Sequence, residues 1–353
     1  MLNTFFKDLK VIELASVLAG PAIGMFFAEL GAKVIKVENS KTKGDITRHW
    51  KLPTEDKNSA SSAYYSSVNW NKEVLMLDLK DEMDLNLLYQ HIKSADIVIS
   101  NFKEKSAQQL KVDYQSLKPL NPTLIFAHLK GFPDNDRVAF DIVLQAETGF
   151  LFMNGEPNRP PVRMPVALID LLAAHQLKEA ILVGLINRYK TGEGCQVSTS
   201  LYEAAVSSLA NQATNWLMAQ HIPQKMGTQH PNIAPYGDMF QTKDGKSIVL
   251  AIGTDRQFVS FCKAVELEEL LTDERFMENS NRVIHRIRLA DVIADKIQYF
   301  NAELLLNNLN HAKVPVGIIR NMQEVFEVDA AQSMILTDDE NGKRVKTVVF
   351  EIE

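Results

Sequence analysis

The chain has 353 residues, enough for about two domains and a large buried core. Its 38 Lys and Arg against 44 Asp and Glu leave a formal net charge of -6, which excludes the global positive field that attracts nucleic acid or anionic membranes. The two cysteines, Cys195 and Cys262, and the eight scattered histidines form no CxxC or Cys/His cluster, so we expect no metal, no disulfide framework and a reducing, cytoplasmic setting.

In chain order, Lys10 to Ala15 reads as a short buried strand, and Ser16-Val17-Leu18-Ala19-Gly20 as a tight connection. A helix is predicted with Pro21 at its first position and an end before Gly31. Ala32 to Val37 is a second β-rich run, so residues 10–38 predict a βαβ unit with parallel pairing. The apolar stretch Val11 to Leu30 mimics a leader or membrane span, yet Glu13, Pro21 and Glu29 interrupt it and no small-residue cleavage site accompanies it; we read it as a soluble segment. Strands follow at Val74–Leu77, Asp96–Ser100 and Thr123–His128, with a helical pattern over Asp84–Lys93. That alternation predicts an α/β fold with a Rossmann-like large domain around a parallel sheet.

Asp170 ends the apolar stretch Pro165-Val166-Ala167-Leu168-Ile169 and opens a helical run from Leu171. A carboxylate there is either a helix N-cap or a reactive group, held ionised by the helix dipole and able to attack an acyl carbon. The local sequence favours the cap, and the two roles are compatible. After the turn Thr191-Gly192-Glu193-Gly194 come a strand over Gln196–Ser200 and one helix over Leu201–Ala219. The irregular stretch His221 to Gly237 marks a domain boundary. Beyond it, Met239–Thr242 and Ser247–Ile252 flank the turn Lys243-Asp244-Gly245-Lys246, followed by helices over Arg256–Ala264 and Val283–Phe300 and a strand over Val314–Arg320. The predicted organisation is a large domain over 1–200, a linker helix over 201–224, a small α+β domain over 225–325, and a segment 326–353 that returns to the large domain.

Glu38 stands about 20 residues after the first turn, as a ribose-binding acid would. The turn is not GxGxxG, and Pro21 removes an amide that a pyrophosphate would use, which weighs against a dinucleotide. No Walker loop, GxSxG elbow or HExxH occurs.

A set of ordered segments carries a resemblance over almost the entire chain: Val17-Leu18-Ala19-Gly20-Pro21, Leu30 to Glu38 with Gly44-Asp45 and Arg48, Asn71-Lys72, Leu77-Asp78-Leu79-Lys80, Asn101-Phe102, Gln145-Ala146, Thr191 to Gly194, His230 to Gly237, and Val314-Pro315-Val316-Gly317. Together they resemble the class III CoA-transferases, the family of formyl-CoA and carnitine CoA-transferases with α-methylacyl-CoA racemases as a branch. The resemblance implies that Asp170 is the catalytic nucleophile, passing through a mixed anhydride and an aspartyl-CoA thioester. It implies that Val17, Leu18 and Ala19 lie beside the pantetheine and thiol end of CoA, Leu77 and Lys80 near the adenine, and Asn101 and Phe102 along the pantetheine arm. Asn39 and Gln109 stand where many members carry basic residues, leaving Lys41, Lys43, Lys103, Lys105 or Arg137 to meet the CoA phosphates; of these Lys103 and Arg137 join the expected site. Leu18 replaces a glutamine of the oxalate-using branch, which argues against oxalate as acceptor.

Phe140 precedes Asp141 where the racemase branch has a histidine, and a phenyl ring exchanges no proton, so a transferase is expected over a racemase. A non-catalytic acyl-CoA-binding homologue is the reading of a different class. The expected partners are acyl-CoA, a small carboxylic acid and a second copy of the chain, since the resemblance implies an interlocked homodimer with neither nucleic acid nor membrane bound.

Overall fold

A computed structural model describes residues 4–338 and 342–351. Lys10–Leu14 (β1), Lys33–Asn39 (β2), Glu73–Leu77 (β3), Ile97–Ser100 (β4), Ile125–Lys130 (β5) and Cys195–Ser200 (β6) form one sheet in the order β3-β2-β1-β4-β5-β6, with every pairing parallel. The α/β, Rossmann-like expectation is met. β4 is buried at all of its four positions, as a strand covered on both faces must be. Alternate residues divide between two cores: Val11, Val34, Ile97, Ile99, Ile125 and Ala127 pack beneath helices Ala19–Glu29 and Leu168–Thr191, whereas Ile12, Ile35, Val98 and Phe126 face Leu88, Ile92 and Leu117 on the other side. The period of two in a strand produces this division.

Strand order reverses between β1 and β4, and the connections leaving those neighbours run in opposite directions. A crevice opens beyond their C-terminal ends, the usual ligand position in such sheets. Residues Ser16–Ala19 follow β1 there, and Asn101–Phe102 follow β4.

Several boundaries differ from the sequence reading. Helix Ala19–Glu29 starts two residues before Pro21. Pro21 fits the first turn because amides there have no acceptor within the helix. The helix predicted over Leu201–Ala219 is two, Leu201–Ser207 and Ala210–Ala219. At the break the Ser207 and Ser208 hydroxyls both donate to the Ala204 carbonyl, at 3.0 and 2.7 Å, and Ala210 takes a φ of 48°. Likewise Val283–Phe300 resolves into Asn279–Ile284 and Arg286–Ile297, separated at His285.

Contacts divide the chain into two compact units. The first holds the parallel sheet and takes the described residues up to Phe150, Arg163–His221 and those from Ser333 onward. It includes the antiparallel strands Ile335–Asp338 and Gly342–Val345, where Arg344 pairs with Glu29 at 2.6 Å. The second takes Leu151–Val162 and Ile222–Gln332. Its antiparallel sheet joins Tyr236–Gln241 (β7), Ser247–Ala251 (β8) and Val316–Ile318 (β9) over a core that includes Phe240, Ile248, Phe258 and Phe261. Among the described residues no helix is long and apolar enough to cross a membrane.

Candidate active site

Asp170 is the third residue of helix Leu168–Thr191 and only 8 % exposed. It is not the helix cap, which corrects the local sequence reading. The cap function comes from another element: the Ile169 N–H donates to Asp141 Oδ1 at 2.7 Å. Asp141 Oδ2 in turn accepts from Gln145 Nε2 at 2.5 Å, and Gln145 Oε1 accepts the Met164 N–H at 3.0 Å. A carboxylate placed by tertiary structure satisfies the helix end, so the Asp170 side chain is left for other work.

The charge state of Asp170 is a second correction. A helix dipole favours an ionised carboxylate, but burial and then the Asp141 charge push the Asp170 pKa up to about 7. Desolvation and a like charge outweigh the dipole. The group therefore titrates near neutrality. Its ionised form is poorly solvated while water is excluded from the cleft, which favours nucleophilic attack.

Asp170 lines a cleft of about 190 Å³ with Ser16, Val17, Leu18, Ala19, Asn101, Lys103, Lys130, Arg137 and Phe140. The structure thus brings together Asp170 and six residues expected around CoA: Val17, Leu18, Ala19, Asn101, Lys103 and Arg137. Phe102 lines the two adjoining clefts, one of about 320 Å³ running past His128 and Lys130, the other of about 310 Å³ past Glu38, Asn39 and Gly44. Leu77 and Lys80 line none of these three. Leu77 is 4 % exposed within the core, and Lys80 is exposed in the turn after β3, where its N–H donates to Asp78 Oδ1 at 3.1 Å.

The basic residues differ in availability. Arg137 is engaged by Glu147, with Nη2 to Oε1 at 2.5 Å and Nη1 to Oε2 at 3.1 Å, and its guanidinium lies 4.5 Å from the centre of the Phe132 ring. Lys103 and Lys130 have no ion pair among the described residues. Lys130, unremarked in the sequence, ends β5 at the sheet edge where the crevice lies, and that placement is the signal that finds it.

The loop between β1 and the first helix has an unusual conformation. Val17 takes a φ of 73°, a left-handed backbone that costs a β-branched residue about 1–3 kcal/mol unless its surroundings hold it. They do. The Val17 N–H donates to Asp45 Oδ2 at 3.1 Å, while Asn101 Oδ1 accepts the Ser16 N–H at 3.2 Å and Asn101 Nδ2 donates to the Ser16 carbonyl at 3.0 Å. Lys36 Nζ donates to the Ala15 carbonyl at 2.7 Å and contacts Glu13 Oε1 at 3.0 Å and Asp45 Oδ2 at 3.1 Å. Burial alone would lower the Lys36 pKa and raise that of Asp45, but each stays charged: Glu13 and Asp45 hold the lysine up, and chiefly Lys36 holds Asp45 down. Sequence reasoning passed over this network. The signal lay in Glu13 and Lys36, two opposite charges inside apolar strand runs, which the parallel pairing sets side by side.

Among the described residues no group of three or more His, Cys, Asp or Glu is placed to hold a metal ion. The model of CoA-transferase family III matches residues 6–352. Succinate–glutarate CoA-transferase of Agrobacterium fabrum is 36% identical over 340 residues, which covers 94% of this chain and 84% of that protein. Succinyl-CoA:glutarate CoA-transferase of Homo sapiens is 33% identical over 324 residues, covering 91% and 73%. A crystal structure of a CAIB/BAIF family protein from Brucella suis superposes with a TM-score of 0.87 at 34% identity, over 97% of this chain and 91% of that one.

Proposed function

The chain belongs to CoA-transferase family III and moves CoA between an acyl-CoA and a free carboxylic acid; from that premise we propose that Asp170 is the covalent nucleophile. The observation that supports this most is the placement of a buried carboxylate, titrating at about 7 and bearing no cap function, in one cleft with Val17, Leu18, Ala19 and Asn101.

In this reading an Asp170 oxygen attacks the acyl carbon of the donor thioester, the C–S bond breaks, and CoA leaves as thiolate. The thiolate then attacks the Asp170 carbonyl carbon of the mixed anhydride, releasing the donor acid and leaving an aspartyl-CoA thioester. The acceptor carboxylate attacks that carbonyl in turn and displaces the thiolate, which attacks the acyl carbon of the second anhydride. The new acyl-CoA departs and the Asp170 carboxylate is restored. Holding thiolate and anhydride within the same small cleft keeps each step effectively intramolecular and keeps water away from the anhydride.

The apolar Val17, Leu18 and Ala19 wall the thiol end of CoA, and Asn101 and Phe102 border the arm. Lys103 and Lys130, which line the cleft without an ion pair among the described residues, are the cations for phosphate, since Arg137 already serves Glu147. Leu77 contributes backbone and core at the β3 end, with Lys80 beside it, near the adenine. The donor and acceptor are short dicarboxylic acids, on the names of the relatives, which pair succinyl or succinate with glutarate. The working assembly is a homodimer, and the unpaired Cys195 and Cys262 fit the cytoplasm.

Incubation with succinyl-CoA and glutarate, followed by chromatography of the CoA esters, tests the reading. Glutaryl-CoA should form with the native protein, and the Asp170→Ala variant should lose at least about 10³-fold in rate, the scale on which a covalent nucleophile acts. Intact-mass measurement after succinyl-CoA alone should show a CoA adduct on the native chain and none on the variant. Exchange at the native rate in Asp170→Ala would overturn the assignment.

A further inference from the structure

We propose that Asp45 and Lys36 are positioning residues for CoA transfer: they lock the Ala15–Ala19 loop, with Val17 left-handed, in the shape that lines the Asp170 cleft. The inference rests on the reading of that cleft as the reaction site.

Four consecutive backbone groups of the loop are each held by a side chain from elsewhere in the fold. The Ala15 carbonyl is taken by Lys36, the Ser16 N–H and carbonyl by Asn101, and the Val17 N–H by Asp45. Asp45 is fixed in its turn. Its Oδ1 accepts from the Thr47 N–H at 3.0 Å and hydroxyl at 2.8 Å, and its own N–H donates to Glu38 Oε2 at 2.9 Å. Glu38 is clamped by Arg48 Nε at 2.7 Å and by the Tyr65 hydroxyl at 2.6 Å.

Behind the loop, Lys72 Nζ joins Glu13 Oε2 at 2.7 Å to the Pro21 carbonyl at 2.8 Å. Glu13, Lys36 and Lys72 have fully buried side chains, and that of Asp45 is 1 % exposed. Two acids and two bases thus sit in balance below the crevice.

Ion pairs of this kind are poor stabilisers, because desolvation offsets their attraction and an apolar replacement often does as well. They do specify one arrangement. Here two members of the network bond to the loop, Lys36 at Ala15 and Asp45 at the strained Val17 itself. A β-branched residue left to itself relaxes out of the left-handed region. Without Asp45 the loop swings, and Val17, Leu18 and Ala19 no longer present the same wall to a thioester at Asp170. A displacement of about 1 Å in such a wall is enough to slow a well-oriented reaction strongly.

The test is a double-mutant cycle between Asp45 and Val17, read as kcat and KM for CoA exchange per folded molecule. Glycine adopts a φ of 73° without penalty, so Val17→Gly removes the need for the brace. Asp45→Ala should lower kcat about tenfold or more with KM for acyl-CoA nearly constant, and should lower it at least about threefold less in the Val17→Gly background. Asp45→Asn, which keeps an acceptor for the Val17 N–H, should fall between native and Asp45→Ala and supplies the comparison if the alanine variant does not fold. Native kcat in both Asp45 variants, or the same fold-loss in the two Val17 backgrounds, would overturn the proposal, since a merely structural Asp45 would shift only the urea midpoint. Asp170→Ala run in parallel keeps the two readings apart: exchange surviving there refutes the nucleophile, whatever the cycle gives.

Discussion

Asp170 and Asp141 divide two tasks that either acid alone would perform less well. Asp141 caps the helix and stays near enough to raise the proton affinity of its neighbour, whereas Asp170 makes no cap bond and faces the cleft. Only the ionised Asp170 attacks, and its folded-state pKa lies near 7, raised by burial and by Asp141. For the free enzyme, kcat/KM for acyl-CoA should therefore fall about tenfold per pH unit below a bend near 7 and level off above it. Asp141→Asn keeps an acceptor for the Ile169 N–H but removes the like charge, so its bend should move to lower pH. A profile flat from pH 5 to about 8 would show that Asp170 does not carry the rate. The sequence placed Asp170 correctly at a helix start, but neither the cap bond nor the pKa was legible there. The cap bond depends on Asp141, 29 positions earlier, and the pKa on burial first and on Asp141 second, so both rest on packing rather than on local pattern.

Among the elements, helix Ala19–Glu29 fits against β1 through two glycines one turn apart. A Cβ on Gly20 would lie 2.4 Å from the Ala15 Cβ, and one on Gly24 would lie 1.9 Å from Glu13 Oε2. The Glu13 carboxylate is pinned between Lys36 and Lys72 and has nowhere to retreat. Gly184, in helix Leu168–Thr191, is easier: its Cβ would meet Cys195 Sγ at 3.2 Å. Alanine gains up to about 1 kcal/mol of helix propensity over glycine, while overpacking a tight core costs about 1–3 kcal/mol. Gly184→Ala should thus be near neutral, and Gly24→Ala should lose about 2 kcal/mol or more, seen as a lower urea midpoint. A Gly24→Ala midpoint at or above the native one would mean that the buried ion network yields. The strand-helix alternation that set these elements side by side was legible from periodicity, because a parallel sheet reads as apolar runs between amphipathic segments. The breaks at Ser207–Ala210 and His285 were not. At the first, two serine hydroxyls compete for one backbone carbonyl, an interaction that helical periodicity does not register.

For the whole molecule, the resemblance of ordered segments carried what composition never could: no charge excess, metal cluster or phosphate loop announced a CoA enzyme. The same scale holds the assembly. Helix Leu168–Thr191 buries Ala173, Ala174, Leu177 and Ile181 against the sheet, yet leaves Val183, Ile186 and Tyr189 at 65%, 56% and 92% exposure. In helix Ala210–Ala219, Leu217 and Met218 stand 73% and 82% exposed. Isolated apolar side chains at a surface need no explanation, but a run at helical spacing on a helix whose opposite face is already packed on the sheet does, and a second chain covering it supplies one. The homodimer we propose should sediment and scatter as a particle of about 79 kDa, twice the 39.7 kDa chain. Substituting Ile186→Glu and Tyr189→Glu together places two charges where a homodimer interface is most apolar, and should shift the particle toward 40 kDa at low micromolar concentration with the helical signal of the chain preserved. If the native chain scatters as a monomer at tens of micromolar, the homodimer is wrong. If it is a dimer that the paired substitution leaves intact, these helices are not its interface, and the exposed run along Leu168–Thr191 has another cause.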